Sequence, residues 1–545
     1  MSLPSEYINA VYQDTGNPSY KGNPFIEALP PIMEIAQLKA GLEGKVEFSL
    51  DHLQDKPRQR AHMVAALLDD FFQPLSQHVL LEERISIMIR RGYVSRNLLD
   101  GSLHQHLQNG YERVMSGDLQ SYKFRNVLTT ATCLSLIGCS GSGKSSTLDR
   151  ILATYPQVIY HEQHNFIQLS YLKIECPNNG SQQSLCFNFF REVDKRLGTK
   201  YESEYGRKRF GVPTLLALMS QVANHRAIGV LVIDEIQRLK IRKSVGREQM
   251  LEFFVELVNT VGIPVILVGT PKARPLFEIE LQSARRTTGI GALYWQPMPQ
   301  YSENPRAKSE WVAFTNKLWK YQWLNRRDEV LSDEIRDCWY ELSQGVLDIV
   351  VKLFVLAQLR AIASKLERIT VKVLQSVYDD ELKPVHPMLD AMRRGNPELI
   401  AKYSDLRVED IDKRLLNLHQ KINEIPDEPE LPFSNNEQAV RLYNLLVQMD
   451  CQSELLIPLV EKAFLERPKL TLRDMMPIVL EWYDEGLKLA EQKPKTLKPT
   501  LVQQTNWAGL ESNDLRFVYS QLDKKEDIYT TFKDKKLILD LKMVS

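Results

Sequence analysis

A Gly-rich loop between an apolar segment and a helical pattern constrains this chain more than any other feature. Residues 138–145 read GCSGSGKS. The preceding apolar run, Cys133–Ile137, predicts a buried strand, and Leu148, Ile151 and Leu152 then recur at helical spacing. Strand, Gly-rich loop and helix in this order form a phosphate-binding loop, because the glycines let backbone N–H groups point at phosphate oxygens.

This loop predicts a nucleotide site. Lys144 would lie against the β and γ phosphates, and the Ser145 hydroxyl would hold Mg²⁺. A chance match in an ordinary loop is the alternative, and the flanking strand and helix disfavour it. The predicted nucleotide-binding residues are Gly138, Cys139, Ser140, Gly141, Ser142, Gly143, Lys144, Ser145 and Ser146.

Composition narrows the class of protein. The chain has 545 residues, of which 43% are hydrophobic and 25% charged, and this suits about two to four globular domains. Its 69 basic and 69 acidic residues cancel, so any contact with nucleic acid must come from a local basic patch. The six cysteines lack metal-ligand spacing, and no apolar run reaches the length of a membrane span. We therefore expect a cytoplasmic protein with buried thiols and no zinc site.

A second apolar run ends in two carboxylates. Gly229–Ile233 is followed by Asp234 and Glu235. A fully apolar run predicts a buried parallel strand, and ligands of open α/β sheets bind at the carboxyl ends of such strands. Asp234 would then bind Mg²⁺, and Glu235 would orient or deprotonate the water that attacks the γ-phosphate. The alternative is an acidic pair that caps the following helix.

Two further polar features follow that strand. Ile263–Val268 predicts another buried strand, and Thr270 comes shortly after it. If this strand lies between the other two, the Thr270 hydroxyl can hold the attacking water or sense the γ-phosphate; otherwise it caps the next helix. The paired Arg285 and Arg286 are either a solvated face or a finger that enters a neighbouring subunit's nucleotide site.

A basic loop follows the acidic strand. It contains five cations within ten positions: Arg238, Lys240, Arg242, Lys243 and Arg247. A second cluster occupies residues 207–209. Runs of charge are often no more than solvated surface, so the pattern alone leaves DNA phosphate contact and plain surface equally open.

The chain divides into six predicted parts. They are an N-terminal partner-docking segment (1–60), a P-loop α/β core with N-terminal helices (61–305), a helical lid with following helices (306–424), a linker (425–436), a small helical region (437–492) and a C-terminal partner-binding tail (493–545). The apolar patch between prolines at 23–31 makes the first part either a docking segment or a strap packed over the ATPase domain.

Several long stretches resemble a known family. The ordered phosphate loop, Asp-Glu strand, Gly-Thr strand, paired arginines and helical lid are similar to AAA+ ATPases, and more closely to the TnsC regulators of target choice in transposons with a heteromeric transposase. The resemblance rests on NPFIEALPP, HLQNGYERV, LIGCSGSGKSS, ILATYPQVIYH, LVIDEIQ, GTPKAR, SARR, WYELSQGV, DIVVKLFVLAQLRA and LQSVYDDELKPVHPML. It covers roughly Val11–Tyr403 and weakens beyond about Glu430.

The resemblance implies a fold, two cofactors and a set of roles. The fold would be α/β: a P-loop AAA+ domain with a central parallel sheet, then a helical lid and a further α-helical C-terminal region. ATP and Mg²⁺ would be the cofactors. The implied roles are ATP and Mg²⁺ binding by Gly143, Lys144 and Ser145, hydrolysis supported by Asp234 and Glu235, sensing by Thr270, and the finger from Arg285 or Arg286.

The resemblance also implies partners. ATP-bound subunits would assemble as a ring or helical filament on double-stranded DNA, tolerant of sequence, with the basic loop lining the channel. This assembly would link a target-selecting protein to transposase subunits in the bacterial cytosol, and hydrolysis would promote its disassembly. The segment up to about Lys56 and the tail after Lys493 are the candidate contacts for the selector and the transposase respectively.

The sequence departs from the AAA+ pattern at one position, and two other functions are possible. Many AAA+ lids carry an arginine on the helix after the turn at Gly345, whereas this chain offers only Lys352. The protein could also be another AAA+ ATPase that remodels or loads DNA, although the basic loop lacks the aromatic paddle of a translocating motor. A nonhydrolysing ATP-bound scaffold is the third possibility, and the intact Asp234 and Glu235 argue against it.

Overall fold

The structure is a computed structural model. It describes residues 6–124, 132–208, 210–238, 253, 256–273, 291–302, 309–406, 415, 418, 420, 422, 437–448, 453–467, 470, 472–491, 504–510 and 515–521. The chain forms two compact units, which divide between Ile425 and Pro426. This boundary falls inside the linker predicted at 425–436.

The first unit is built around a five-stranded parallel sheet. The strands of the unit are β1 (Ile8–Asn9), β2 (Cys133–Ile137), β3 (Val158–His161), β4 (Phe166–Leu169), β5 (Tyr171–Glu175), β6 (Val230–Asp234), β7 (Val265–Gly269) and β8 (Gly291–Tyr294). The main sheet has the order β5-β6-β7-β2-β8, and every neighbouring pair in it is parallel. The phosphate-loop strand β2 is therefore flanked by β7, and β7 by the acidic strand β6.

Helices cover the sheet and continue beyond it. They are α1 (Pro24–Glu27), α2 (Ile35–Leu42), α3 (Pro57–Asp70), α4 (Ser76–Val94), α5 (Ser102–Ser116), α6 (Lys144–Leu152), α7 (Gln182–Leu197), α8 (Tyr201–Gly206), α9 (Val212–His225), α10 (Glu310–Trp319), α11 (Asp333–Ser343), α12 (Leu347–Ala363), α13 (Val371–Glu381), α14 (His386–Arg393) and α15 (Pro397–Tyr403). No helix within the described residues has both the length and the hydropathy to span a membrane.

Both faces of the sheet are buried, which explains the uninterrupted apolar runs. Every residue of β6 and of β7 is buried. One face packs on α7 and α9, and the other on α4 and α6. Strands covered on both faces need apolar side chains at every position, so the runs at 230–233 and 265–268 have no polar alternation. The predicted α/β fold with a central parallel sheet is confirmed.

The alternating segment 166–174 (FIQLSYLKI) is typical of one strand, but the structure divides it into two. The chain breaks at the buried Ser170, whose Oγ donates to the Pro156 carbonyl at 2.7 Å. Residues before the break form β4, which pairs antiparallel with β3, and residues after it form β5, which pairs parallel with β6. The alternation of apolar residues continues through the break, so the pattern alone could not reveal the change of sheet.

The N-terminal segment packs over the main sheet as a strap. Phe25 and Ile26 are fully buried in the core that β2 and α4 share. The Asn23 side-chain amide donates to the Tyr93 carbonyl at 2.7 Å, and Ile8 pairs with Ile159 of β3. These contacts tie the prolines and apolar residues of the segment to the sheet.

The helical lid has its own core. It is built around α12, with the stacked rings of Trp339 and Phe354 near its centre. Helix α3 packs in this core too, and the Arg60 guanidinium at its start forms a salt bridge with Glu367 at 2.7 Å. Helix α3, which precedes the phosphate loop in the sequence, therefore packs as part of the lid.

The second unit is helical in its described parts. Its helices are α16 (Glu437–Gln448), α17 (Ser453–Glu466), α18 (Leu472–Glu491) and α19 (Leu515–Ser520). The first three share a small apolar core that includes Leu442, Leu456 and Val479. Their bounds lie close to the helices predicted for 437–492.

Buried histidines make the fold sensitive to acid. Burial lowers the pKa of His78, which stacks between Phe72 and Trp295, to about 4, and the pKa of His106 is also lowered to about 4, mainly by burial. The unfolded chain binds a proton at each of these residues near pH 6.5, whereas the folded chain does not until about pH 4. The stability that each contributes is therefore complete above pH 6.5 and is lost as the pH falls toward 4.

We expect the free energy of unfolding to be about 2 kcal/mol lower at pH 5 than at pH 7 for each of these histidines. His78→Gln should reduce this loss, because the amide does not bind a proton in this pH range. The Gln side chain can still accept the hydrogen bond that Leu75 N–H donates to Nδ1 at 3.0 Å, so the start of α4 is kept. Denaturant unfolding at both pH values measures the effect. His104→Gln, at an exposed position on α5, is the matched control, and an equal loss in both variants would contradict the assignment.

Candidate functional site

The loop between β2 and α6 depends on glycine at two positions. Gly143 has a φ of +90° and precedes the first residue of α6, so it turns the chain into the helix in a conformation that L side chains rarely adopt. At Gly138 a Cβ atom would lie 2.5 Å from the carbonyl oxygen of Trp295. The Trp295 indole N–H in turn donates to the Ser142 carbonyl at 2.8 Å, which fixes the loop from the far side.

Lys144 lies folded against its own loop. Its Nζ donates to the carbonyl oxygens of Gly138 and Cys139, each at 2.7 Å, and the residue is only 8% exposed. Burial lowers the pKa of Lys144 to about 8, while the carboxylates of Asp234 and Glu235 act in the opposite direction. The ammonium is thus charged at neutral pH and held at the mouth of the loop, where a phosphate can exchange for the carbonyls.

Asp234 closes the acidic strand beside that loop. Its Oδ2 accepts a hydrogen bond from Ser145 Oγ at 2.9 Å, and Lys173 Nζ lies 3.4 Å from the same oxygen. Hydroxyl and carboxylate oxygens next to a phosphate loop form the donor set that Mg²⁺ prefers. Ser145 and Asp234 therefore fit the predicted metal by the chemistry of their oxygens, while the Lys173 ammonium competes for the same carboxylate oxygen.

Glu235 has a constrained backbone and two side-chain partners. Its φ is +60°, an uncommon value for a non-glycine residue. Gln237 Nε2 donates to its Oε2 at 2.8 Å, and Arg238 Nε lies 3.4 Å from the same oxygen. Arg238 also forms a salt bridge with Glu175 at 3.0 Å. Of the predicted DNA-binding cations, Arg238 is therefore already paired with carboxylates in this structure.

Thr270 follows the strand that lies between β2 and β6, which is the position on which its predicted role depends. Its N–H donates to Gln237 Oε1 at 3.2 Å, which connects it to the Glu235 side. Its hydroxyl donates to Oδ1 of Asp405 at 2.5 Å. Thr270 therefore faces the same cleft as Lys144.

These residues meet in one cleft of about 640 Å³, within the range of about 300–1,000 Å³ typical of small-ligand sites. Its polar lining includes Lys144, Ser145, Asp234, Glu235 and Thr270. Its apolar and aromatic lining includes Leu68, Phe71, Phe72, His78, Phe314, Leu347 and Val351. A cleft that offers cationic and hydroxyl groups as well as aromatic side chains suits a ligand with both phosphates and a flat ring.

Within the loop, Ser140, Gly141, Gly143, Lys144, Ser145 and Ser146 line the cleft. The other predicted positions support it instead. The carbonyls of Gly138 and Cys139 accept from Lys144, and Ser142 Oγ donates to the Cys139 carbonyl at 2.7 Å. The remaining predicted residues lie outside the described part of the chain: Lys240, Arg242, Lys243, Arg247, Arg285 and Arg286.

The lid approaches the loop through the start of α12. Asp348 N–H donates to the Gly141 carbonyl at 2.9 Å, and Asp348 and Leu347 line the cleft. Lys352, the lid cation considered in place of an arginine, donates to Asp348 Oδ2 at 2.7 Å. In this arrangement the Lys352 ammonium is paired with a carboxylate of the same lid helix.

Sequence reasoning missed three contributors to the site. The aromatic wall, which includes Phe71, Phe72 and His78, comes from the turn between α3 and α4 and from the start of α4. Asp405 comes from beyond α15. Trp295, which follows β8, does not line the cleft but holds the phosphate loop through Ser142. All three come from distant parts of the sequence without a local motif. Only the hydrophobic spacing of the helices near residue 70 gave any signal.

Comparison with known proteins adds two matches. Residues 127–277 match the family model of the AAA domain, and residues 502–544 match that of the Tn7 transposition regulator TnsC. The second match lies in the predicted tail, beyond the part of the chain where the resemblance was strongest. No curated protein matches the chain significantly.

Several solved structures are distantly similar to parts of this chain. They include the Walker-type ATPase PABY2304 of Pyrococcus abyssi (16% identity, TM-score 0.33, 57% of this chain and 88% of that chain), Drosophila ORC bound to DNA (13%, 0.35, 71% and 90%) and Cdc6p from Pyrobaculum aerophilum (15%, 0.31, 62% and 89%). At these TM-scores they add nothing to what the strand order already shows. The AAA match spans the phosphate loop and the acidic strand, and together with the TnsC match at the C-terminal end it supports a TnsC-like AAA+ ATPase.

Proposed function

We propose that this protein is an ATP-dependent regulator of DNA transposition. ATP-bound subunits assemble on target DNA and link a target-selecting protein to the transposase, and hydrolysis promotes disassembly. The observation that carries the proposal is the convergence of Lys144, Ser145, Asp234, Glu235 and Thr270 in one cleft of an AAA domain. The TnsC match at residues 502–544 supports the assignment to transposition.

ATP binding uses both the polar and the aromatic lining of the cleft. Lys144 and the backbone of the loop hold the phosphates, and the aromatic and apolar side chains receive the base.

Hydrolysis needs a metal and an oriented water. Ser145 and Asp234 would hold Mg²⁺, which neutralises charge on the β and γ phosphate oxygens when bound. Glu235 orients or deprotonates the attacking water, and Gln237 holds its carboxylate at the correct end of β6. Arg285 or Arg286 of a neighbouring subunit serves as the finger that offsets charge in the transition state.

DNA contact comes from the basic loop. In a ring or helical filament, Lys240, Arg242, Lys243 and Arg247 would line a central channel and contact phosphates without reading bases. The exposed parts of the N-terminal segment and the tail after Lys493 serve as contacts for the selector and the transposase. Binding should accordingly depend on salt and tolerate many sequences.

A charge-removal variant tests the DNA assignment. We expect the triple variant Lys240→Gln, Arg242→Gln and Lys243→Gln to weaken binding to a random duplex. Each lost phosphate contact means that fewer counterions are released from the DNA on binding, and this release favours the complex. The slope of log K against log salt should become shallower by about 2 to 3. Fluorescence anisotropy across a salt series, with a slowly hydrolysed ATP analogue present, measures both quantities.

The matched control removes three exposed lysines from the lid region, Lys365, Lys372 and Lys383. It changes the net charge by the same amount away from the basic loop. Equal weakening by the two triple variants would mean that the global field and not the loop binds DNA. Unchanged binding by the loop variant would exclude the loop as the contact.

A further inference from the structure

The chain immediately after α15 enters the nucleotide cleft. Asp405 accepts two hydrogen bonds there, one from Thr270 Oγ1 at 2.5 Å and one from Lys272 Nζ at 2.8 Å. Its side chain is about one-third exposed, so it lies at the edge of the cleft and reaches in. The Asp405 carboxylate therefore already accepts the hydrogen bond of the Thr270 hydroxyl, which the proposed mechanism assigns to sensing the γ-phosphate.

The neighbouring residue anchors the same segment to the phosphate loop. The Ser404 carbonyl accepts from the Ser140 N–H at 2.8 Å, and the buried Ser404 hydroxyl donates to the Ala401 carbonyl at 2.8 Å. Helix α15 begins at an Asn396 cap, whose side chain accepts from the backbone N–H groups of Glu398 and Leu399. The segment 397–406 thus bridges the loop after β2 and the turn after β7.

The charges explain why this position matters. Asp405 is one of the carboxylates whose field acts on Lys144, so it supplies negative charge on the side of the cleft where the terminal phosphate would lie. A γ-phosphate brings a further charge of about −1.5 to −2 to the same neighbourhood. Two anions cannot both take the Thr270 hydroxyl as donor, and their repulsion is strong in a partly buried cleft. A nucleoside diphosphate lacks the group that competes.

We infer that Asp405 makes the site distinguish nucleoside triphosphate from diphosphate. With no nucleotide or with a diphosphate, Asp405 holds Thr270 and Lys272, and segment 397–406 stays docked on the cleft. A triphosphate takes over the Thr270 hydroxyl and releases Asp405 together with that segment. The inference rests on the proposed ATP site and adds the residue that reports which nucleotide occupies it.

The test compares two nucleotides in two full-length proteins. Asp405→Asn removes the negative charge and keeps a side chain of the same shape, so affinity for a slowly hydrolysed ATP analogue should increase about tenfold, which corresponds to about 1.4 kcal/mol. Affinity for ADP should change less than about twofold, which also shows that the variant is folded. Asp379→Asn, at an exposed position of α13, removes the same charge elsewhere and should change neither affinity.

Hydrogen exchange of the unmodified protein gives an independent measurement. Amides of residues 397–406 should exchange faster with the ATP analogue than with ADP or with no nucleotide. Equal exchange in all three states, or equal tightening of both nucleotides in Asp405→Asn, would overturn the inference and leave the ATP site intact. Failure of the unmodified protein to bind either nucleotide would overturn the proposed function, and the inference with it.

Discussion

Replacing Glu235 with Gln is expected to slow phosphate release by about 10² to 10³, while nucleotide affinity changes less than about threefold. The amide keeps the shape of the side chain and can still accept from Gln237 Nε2, which now donates to Oε2 at 2.8 Å. It cannot take a proton from water. Because disassembly follows hydrolysis in the proposed function, complexes of this variant with ATP and DNA should also live longer.

Glu175 offers a matched control for this substitution. It lies at the end of β5 and shares the Arg238 partner with Glu235, but it does not line the cleft. Glu175→Gln should therefore release phosphate within about twofold of the unmodified rate, as expected for a change away from the reacting atoms. Single-turnover phosphate release with DNA present measures all three proteins. Equal rates in Glu235→Gln and the unmodified protein would remove Glu235 from the mechanism.

Replacing Lys144 with Ala should lower ATP affinity by at least about 100-fold, because charge-assisted bonds to phosphate are lost in a partly water-excluded site. The fold should not suffer. Burial already lowers the pKa of this ammonium to about 8, which shows that the folded protein bears a cost in keeping it charged. The nucleotide-free melting temperature should therefore stay the same or rise slightly, and the shift induced by ATP should disappear.

Lys352 serves as the control for that experiment. It is also cationic and partly buried, but its Nζ is engaged by Asp348 and it does not line the cleft. Lys352→Ala should keep ATP affinity within about threefold of the unmodified value, in line with the small worth of a pair outside the binding site. Titration calorimetry with ATP and Mg²⁺ measures both variants. A loss of affinity in Lys352→Ala as large as in Lys144→Ala would mean that the lid cation reaches the phosphates.

The sequence was most informative where one physical cause acts over a short stretch. Strands β2, β6 and β7 could be located because both of their faces are covered, which demands uninterrupted apolar residues. The phosphate loop could be read from glycines that its backbone requires, such as Gly143 with its φ of +90°. The family resemblance then supplied the order of the parts, and the strand order of the sheet agrees with it.

The sequence was least informative where long-range contacts decide the structure. Nothing within the alternating segment 166–174 shows that Ser170 divides it between two sheets, because the partners of each half lie elsewhere. Helix α3 has an ordinary amphipathic pattern, and its packing with the lid follows from the fit of distant side chains. The short strands β1 and β3 are too brief to give a periodic signal.

The site shows the same division. Lys144, Asp234 and Thr270 follow directly from local motifs at strand ends. The aromatic wall and Asp405 come from segments before and after the residues that match the AAA domain, and each is an ordinary residue type in an ordinary context. Their roles arise only when folding brings them to the carboxyl end of the sheet.

Imaging of the purified protein shows whether ATP gates its assembly on DNA. Negative-stain micrographs would be taken with a random DNA duplex and either a slowly hydrolysed ATP analogue or ADP. Rings or helical filaments on DNA with the analogue, and none with ADP, are the predicted result, since the γ-phosphate is what the cleft is proposed to sense. Identical particles with both nucleotides would contradict ATP-gated assembly on DNA.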